Sequence, residues 1–286
     1  MLIMARNEAI HIERAVASAR RLTPHVFVVD SGSSDGTADM ARSAGAQVAT
    51  VTIERFADKL NWGADQLDFP TPWVFRLDAD EILTDELVER LPALLAAVGP
   101  QVTGIYLRRQ LWFMGRWMRH GGMYPTYSMR LWRRGDAYCE TRDLDEHMIL
   151  RRGTAERFSL DVIDDPLFEL SDWVDKHNRY ATLEARSAIE ARGGAKDAIK
   201  ADLLGPLPQR VRWIKLKVFY RLPLFIRPIL YFLYRYVLRL GFLDGLVGFV
   251  FHFMHGLWYR VLVDAKILEA RRKSRRRPLI SSPRDP

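Results

Sequence analysis

Between Leu2 and Leu77 the chain alternates short apolar runs with stretches of helical periodicity, and that alternation leaves few folds open to it. Leu2-Ile3-Met4-Ala5 breaks off into Arg6-Asn7-Glu8. Ile12, Ala15, Val16, Ala19 and Leu22 then recur on one helix face, predicting a helix from about Glu8 to Leu22. Val26-Phe27-Val28-Val29 reads as a second buried strand ending at Asp30. A helix capped by Ser34 or Asp35 runs on to Ala44, where Gly45 closes it, and Gln47 to Ile53 is a third strand. Strands separated by helices return to one sheet as parallel neighbours, so the fold class expected is α/β.

The next run, Trp73 to Leu77, discharges into Asp78-Ala79-Asp80-Glu81. An Asp-x-Asp at the end of a central strand puts two carboxylates at the carboxyl edge, where open α/β sheets bind ligands. Hard divalent cations take oxygen ligands and bridge carboxylates to phosphates, so Asp78 and Asp80 are candidates to hold Mg²⁺ or Mn²⁺ against a nucleotide diphosphate. The competing role is to start the following helix, which has Thr84 as its cap and Leu87, Leu91, Leu94, Leu95 and Val98 on its buried face, with Pro92 expected to kink or divide it. Asp30, beside the turn Ser31-Gly32-Ser33-Ser34-Asp35-Gly36-Thr37, can accept hydrogen bonds from a ribose or base, or act with Asp35 as a turn residue. Lys59 is in reach of a phosphate and Asn61 can brace the acidic loop; solvated positions suit both equally.

Further strands are expected over Gly104 to Arg109 and Met129 to Arg133, the later ones antiparallel. Between them, Trp112 to Tyr124 is aromatic, basic and broken by glycine, the composition of a loop or acceptor platform, although core packing is the commoner use of aromatics. Asp143-Leu144-Asp145-Glu146-His147 sets carboxylates beside an imidazole, as a general base requires; a charged turn has the same composition. A long helix spans Ser171 to Arg192, with Trp173, His177, Arg179 and Tyr180 near its start.

Charge divides the chain. From Gln209 onward there are 17 Lys or Arg against 4 Asp or Glu, a balance of +13, which leaves −5 on the remainder of a chain whose total is +8. Basic tails meet nucleic acid or anionic membranes. Residues 218–263 are so rich in large apolar and aromatic side chains that nucleic acid is excluded, since that apolar surface would be wasted on phosphates. The longest stretch free of charged residues, Gly245 to Tyr259, falls short of the roughly 20 residues that span a bilayer. Amphipathic helices lying in the headgroup region are therefore expected, with Arg221, Arg227, Arg235 and Arg239 snorkelling and Arg271-Arg272-Lys273 and Arg275-Arg276-Arg277 gripping anionic lipid. A helical subdomain, an oligomer interface or a membrane hairpin around Gly245–Gly248 are the alternatives. The lone Cys139 excludes an intramolecular disulfide, and no secretory pattern opens the chain, so export is not expected.

Taken in order, Arg6-Asn7-Glu8, Val28 to Thr37, Lys59-Leu60-Asn61 and Leu77-Asp78-Ala79-Asp80-Glu81 resemble the family 2 glycosyltransferases, more narrowly the bacterial members that build lipopolysaccharide core or other envelope glycans. The resemblance implies a GT-A fold with a Rossmann-like mixed sheet, and inverting, Mg²⁺- or Mn²⁺-assisted transfer from a nucleotide-sugar donor. It puts Asn7 and Glu8 at the first nucleotide contact, with Ser31, Lys59, Asn61 and Asp78 in the same donor site. Asp30 reads the base or ribose, Asp80 is the direct metal ligand beside Asp78, and Glu146 takes the acceptor's proton. Glu146 stands here in Asp-Glu-His rather than the commoner Glu-Asp, which leaves Asp145 as a competing base. His147 or His177 is a further candidate at the metal or pyrophosphate. The first strand begins at residue 1, where relatives usually carry a few more residues, so a short upstream extension is expected.

The division expected is a GT-A domain over 1–205 and a basic, aromatic, helical membrane-associating region over 206–286. The acceptor is expected to be a lipid-linked or core glycan at the cytoplasmic face of the inner membrane, met peripherally or in-plane at an anionic surface. Two rivals are weaker. A sugar nucleotidyltransferase would favour a glycine-rich phosphate loop with basic residues near its N-terminus, and none stands out; a catalytically inactive scaffold of the same fold would not need Asp78, Asp80 and Glu146 intact.

Overall fold

The structure is a computed structural model that describes residues 1–68, 70–141, 146–190, 202, 204, 210, 213–214 and 217–276. Strands β1 (Leu2–Ala5), β2 (Phe27–Asp30), β3 (Gln47–Thr50) and β4 (Trp73–Asp78) alternate with helices α1 (Ile12–Arg20), α2 (Thr37–Ser43) and α3 (Phe56–Gln66). They pair in parallel in the order β3-β2-β1-β4. Successive side chains leave a strand on opposite faces. Ile3, Val28, Phe75 and Leu77 accordingly enter one core with Ile12, Val16 and Leu87, while Leu2, Met4, Phe27, Val29 and Val74 enter another with Leu60 and Trp132. Burial on both faces is why these strands read as unbroken apolar runs.

After β5 (Glu81–Leu83) and α4 (Asp85–Ala97) the sheet turns mixed. β6 (Val102–Phe113), β8 (Thr126–Arg133) and β11 (Thr154–Asp164) extend it in the order β4-β8-β6-β11-β5, with β7 (Arg116–Trp117) paired to β6. β8 is antiparallel to both β4 and β6, as expected of the later strands. Helix α4 runs through Pro92 undivided, with Pro92 on its exposed side.

The sheet must curl. Only Ala79 and Asp80 separate β4 from β5, yet three strands stand between them along the ladder. Flat, that is roughly 19 Å of strand spacing, whereas the link from Asp78 to Glu81 reaches about 11 Å at most. Curling folds the far edge back onto the end of β4 and gathers the acidic residues there.

The described chain forms two compact units, one of Met1–Glu169 with Arg239–Phe249, the other of Leu170–Leu238 with Val250 onward. In the second unit α5 (Leu170–Glu190) packs Ala181, Ala185 and Ala188 against Tyr259, Val263 and Ile267 of the last helix. In this second unit the buried Glu184 accepts from Tyr220 and Tyr259 hydroxyls at 3.1 and 2.7 Å and from Arg260 at 2.7 Å. Helices among its described residues also include α6 (Ile226–Leu233), which passes into a π-helical turn (Tyr234–Leu238), and α8 (Tyr259–Arg276). The segment Gly241–Lys273, which opens on a 3-10 turn (Gly241–Asp244) and continues through α7 (Gly245–Phe251), is a helical stretch of 33 residues, long and apolar enough to cross a membrane, with a mean hydropathy of 1.4 over its most apolar window.

One expectation for this region is overturned. Arg227 and Arg235 do not snorkel outward; both are buried, Arg227 on Asp264 (Nε to Oδ1 2.8 Å) and Arg235 donating to the Tyr231 hydroxyl at 3.0 Å. A buried guanidinium needs a partner. Asp264 lies 37 residues on, out of reach of any reading of local spacing. Arg221 and Arg239 are exposed, as expected.

Candidate active site

Strand register sets the site. Met4 of β1 pairs with Asp78 of β4, and Ala5 with Asp30 of β2, so both carboxylates emerge at the same carboxyl edge on either side of β1. The loop after β1 is laced to the loop after β2. Asn7, in the left-handed region at φ +55°, donates its N–H to Ser33 Oγ (2.8 Å) and accepts at Oδ1 from the Ser34 N–H (2.9 Å). Asparagine tolerates that conformation well. The Glu8 N–H donates to Thr37 Oγ1 (2.8 Å) and the Ala9 N–H to Asp35 (3.0 Å).

Asp30 is buried and accepts from the Gly32 and Ser33 N–H groups at 3.1 and 3.0 Å and from the Ser33 hydroxyl. Lys59 comes up from α3 beneath the same edge, donating to Ala5 O (3.1 Å) and Ser31 Oγ (2.9 Å). Burial pulls its ammonium down to about 8, against the carboxylates of Asp30, Glu8 and Asp78, which hold it charged. Asn61, two residues further along α3, clamps the backbone of Cys139: its amide donates to the carbonyl (2.9 Å) and accepts from the N–H (2.7 Å). Both halves of its amide therefore brace β9 (Ala137–Cys139), not the loop after β4.

The two aspartates differ sharply. Asp78 is gripped by Arg76 (Nε to Oδ1 2.9 Å, Nη2 to Oδ2 3.0 Å) and by Arg130 (3.1 Å). Burial works to raise its pKa, but Arg76 and Arg130 hold the carboxyl well below the usual range. Asp80 is half-buried, and among the described residues no hydrogen bond or ion pair engages its carboxylate. Its backbone carbonyl is fixed instead, accepting from the Asp165 N–H at 3.2 Å. Asp165 is in turn held by Arg14 (2.8 Å).

Behind them Arg130 also pairs with the buried Glu81. Burial pushes the Glu81 carboxyl up to about 8 despite Arg130, and Asp78, Asp164 and Asp80 push the same way. Asp164, paired across the ladder with Glu81, is raised to about 6, by burial first and then by the charge of Asp80, against Arg109. Arg130, Asp164 and Asp165 had no assigned role in the sequence, because pairing of β8 with β4 and the curl that returns β11 bring them there; Arg76, two residues before Asp78 on β4, lies on the same strand face, and alternation along the strand could have pointed to it.

A test of this charge cluster follows from Asp164. Its folded pKa stands above the ordinary aspartate value, so the stability it contributes is present below about pH 4 and is lost as pH rises through about 6. Asp164→Asn should therefore raise the melting temperature at pH 7.5 and change it little at pH 4. Thermal unfolding across that range checks this, and equal shifts at both pH values would contradict the cluster.

Beyond β9, Glu140 is buried and its Oε1 lies 3.0 Å from His147 Nδ1, so a carboxylate holds the His147 ring. A metal-bound histidine commonly has such a partner on its other nitrogen. Glu146 and Asp78 both bear electrostatically on the Cys139 thiol, which burial pushes up to about 12. Asp145 lies outside the described residues. His177, in the second unit, stacks on Trp173 (ring centroids 3.5 Å apart), and burial lowers its pKa to about 4. The buried His11 accepts at Nε2 from the Leu167 N–H (2.9 Å), so its proton sits on Nδ1 and is donated to Glu8 (2.7 Å).

The family model described as Glycosyl transferase family 2 matches residues 1–151, more than half of the chain. The chain belongs to that family. Over 280 residues this glycosyltransferase is 29% identical to the lipopolysaccharide core biosynthesis glycosyltransferase LpsC of Rhizobium meliloti, covering 93% of this chain and 90% of that one. An uncharacterized glycosyltransferase of Rickettsia prowazekii is 33% identical over 89 residues, 31% of this chain and 30% of the relative. Among solved structures, mannosyl-3-phosphoglycerate synthase from Rubrobacter xylanophilus aligns over 70% of this chain and 76% of its own, at 15% identity and a TM-score of 0.44. Glucosyl-3-phosphoglycerate synthase from Mycobacterium tuberculosis, solved with Mn²⁺ and UDP, aligns over 38% of this chain and 42% of its own, at 21% identity and a TM-score of 0.32.

The donor set suits a divalent cation. Among the described residues no three His, Cys, Asp or Glu side chains converge as a complete metal cage. Mg²⁺ characteristically takes one or two carboxylates and completes its shell with substrate phosphates and water. The disengaged Asp80 carboxylate has the chemistry of such a ligand, two residues beyond Asp78.

Proposed function

We propose that this glycosyltransferase moves a sugar from a nucleotide-diphosphate donor to a glycan hydroxyl, with inversion at the anomeric carbon. The single observation that carries the reading is the contrast at the edge of β4: Asp78 neutralised by two arginines, Asp80 two residues on with its carboxylate disengaged. In this reading Asn7, Glu8, Asp30 and Ser31 form the nucleoside pocket, and Asp30 serves it by fixing the loop through its three hydrogen bonds. Lys59 brings positive charge under the pocket, and Asn61 anchors the backbone of β9 at Cys139, whose thiol is close enough for both Asp78 and Glu146 to bear on it. Asp80 would be the direct ligand of Mg²⁺ or Mn²⁺, with His147 as a second candidate, and Asp78, whose oxygens Arg76 and Arg130 already engage, would add its charge from two residues away. A bound cation would stabilise the charge building on the departing diphosphate.

The chain's own chemistry is then a proton transfer. Glu146 takes the proton of the acceptor hydroxyl as its oxygen bonds to the anomeric carbon, and the bond from that carbon to the diphosphate oxygen breaks, so an α-linked donor yields a β-linked product. Likeness to LpsC over nearly the whole chain supports a lipopolysaccharide core or other lipid-linked acceptor, and the basic, apolar C-terminal region supports work at an anionic membrane surface on the cytoplasmic face. Screening nucleotide-sugars for cation-dependent turnover, with the product's anomeric configuration read by NMR, tests the reaction. Glu146→Gln should lower transfer about a hundred-fold or more while leaving donor affinity unchanged. Wild-type rates in that variant would pass the base role to Asp145, and a retained anomeric configuration would end the single-displacement mechanism.

A further inference from the structure

The segment Ile226–Leu238 of the second unit is turned inside out by the standard of a soluble helix. Its arginines point inward: Arg227 is 2% exposed and Arg235 6%. Ile226, Ile229, Leu230, Leu233, Val237 and Leu238 recur at three- and four-residue spacing and are 45–72% exposed. A helix on a water-facing surface normally presents charge outward and aliphatics inward. This one spends its charges on internal anchoring. Asp264 pairs with Arg227 (2.8 Å) and also accepts from the Phe225 N–H at 2.8 Å, while the Arg227 guanidinium lies 5.1 and 5.0 Å from the Phe219 and Tyr220 rings. These contacts set the rotation of the helix, and that rotation leaves the aliphatic stripe outside.

We propose that this stripe is the surface that enters the lipid bilayer, with α6 and its π-helical turn lying in the membrane plane. The inference rests on the membrane-association reading above and names the face responsible for it. Thirteen helical residues extend about 20 Å, too short to cross a hydrocarbon core of about 30 Å, which favours an in-plane pose. Exposed Arg221 and Arg239 bracket the segment in sequence, and the chain from residue 209 onward carries 17 basic against 4 acidic residues. Anionic headgroups complement that charge around an inserted apolar stripe. A second copy of the chain would instead bring a like-charged rim against it.

Flotation of the full chain with vesicles of phosphatidylethanolamine and phosphatidylglycerol tests the proposal. The wild type should float, and Ile229→Ser/Leu233→Ser/Val237→Ser should lose about 100-fold in partition while keeping its donor-induced thermal shift. A second measurement does not depend on how that variant folds. Cys139 is buried, so Leu233→Cys can be labelled alone with a polarity-sensitive fluorophore, which should shift to the blue on vesicle addition, whereas a label at Glu89→Cys on α4 should not. If the wild type floats but the triple variant floats equally well and the label at 233 reports water, the stripe is wrong and the membrane reading survives. Failure of the wild type to float at either low or high salt would remove both. A lipid-free dimer that the triple variant breaks into monomers would give the stripe to self-association and overturn the proposal.

Discussion

Asp80→Ala should lower the rate of sugar transfer about a thousand-fold and leave the melting temperature where it is or slightly higher. The two halves of that expectation have one cause. The Asp80 carboxylate engages no described protein group, so its loss removes no native contact, and it adds to the repulsion that raises Asp164 and Glu81. A residue whose carboxylate engages no described group, at the edge where the donor is proposed to bind, is poised for charge that arrives with the ligand. Initial rates with Mg²⁺ or Mn²⁺ titrated against a fixed donor, beside thermal unfolding of both proteins, check it. Full activity in the variant would remove the metal assignment; an intact cation response with a fallen melting temperature would recast Asp80 as structural.

Arg130→Met should act in the opposite way, on stability first. Arg130 is buried between Asp78 and Glu81 and is the cation that makes two inward carboxylates tolerable. Breaking a buried pair by removing one partner costs about 3–5 kcal/mol, which in a domain of this size lowers the melting temperature by about 10 °C. Replacing both partners with apolar groups is far cheaper than replacing one, so Arg130→Met/Glu81→Leu should recover at least half of the loss. Arg76 still holds Asp78 in that double variant, and folding should return further than activity does. Calorimetry on the two variants and on Glu81→Leu alone closes the cycle, and strictly additive melting shifts would show that the pair is not coupled.

The strand-end placement of Asp30 and Asp78 in the candidate site was legible in the sequence. Asp30, Asp78 and Asp80 each close an apolar run, and a parallel sheet returns every strand to the same edge, so reading where the apolar runs stop amounts to reading the rim. The loop Ser31 to Thr37 could be read as a turn, but not as the partner of Asn7, Glu8 and Ala9, since those bonds reach across 26 to 29 residues. Asn61 shows the limit of residue type: an amide two positions from Lys59 suits a ligand contact or a brace, and only the passage of Cys139 beside it distinguishes them.

Arg130 shows a different limit. In the sequence it is one charge in a strand-like run, and its importance depends on β8 lying against β4 while the sheet curls to bring Glu81 back. In the C-terminal region the arginines were correctly seen among aromatics and aliphatics, but their direction was reversed for Arg227 and Arg235, because a guanidinium turns toward whichever carboxylate the fold supplies.

The sequence by itself determined the α/β class, the parallel order of chemistry-bearing strand ends and the basic, apolar character of the C-terminal region, since periodicity and charge are local and survive in the unfolded chain. Tertiary structure decided that Asp78 is also paired to Arg130 while Asp80 is left disengaged, and which face of the Ile226–Leu238 helix looks out, because Arg130 meets Asp78 only when β8 pairs with β4, and Arg227 meets Asp264 only when the helices have packed.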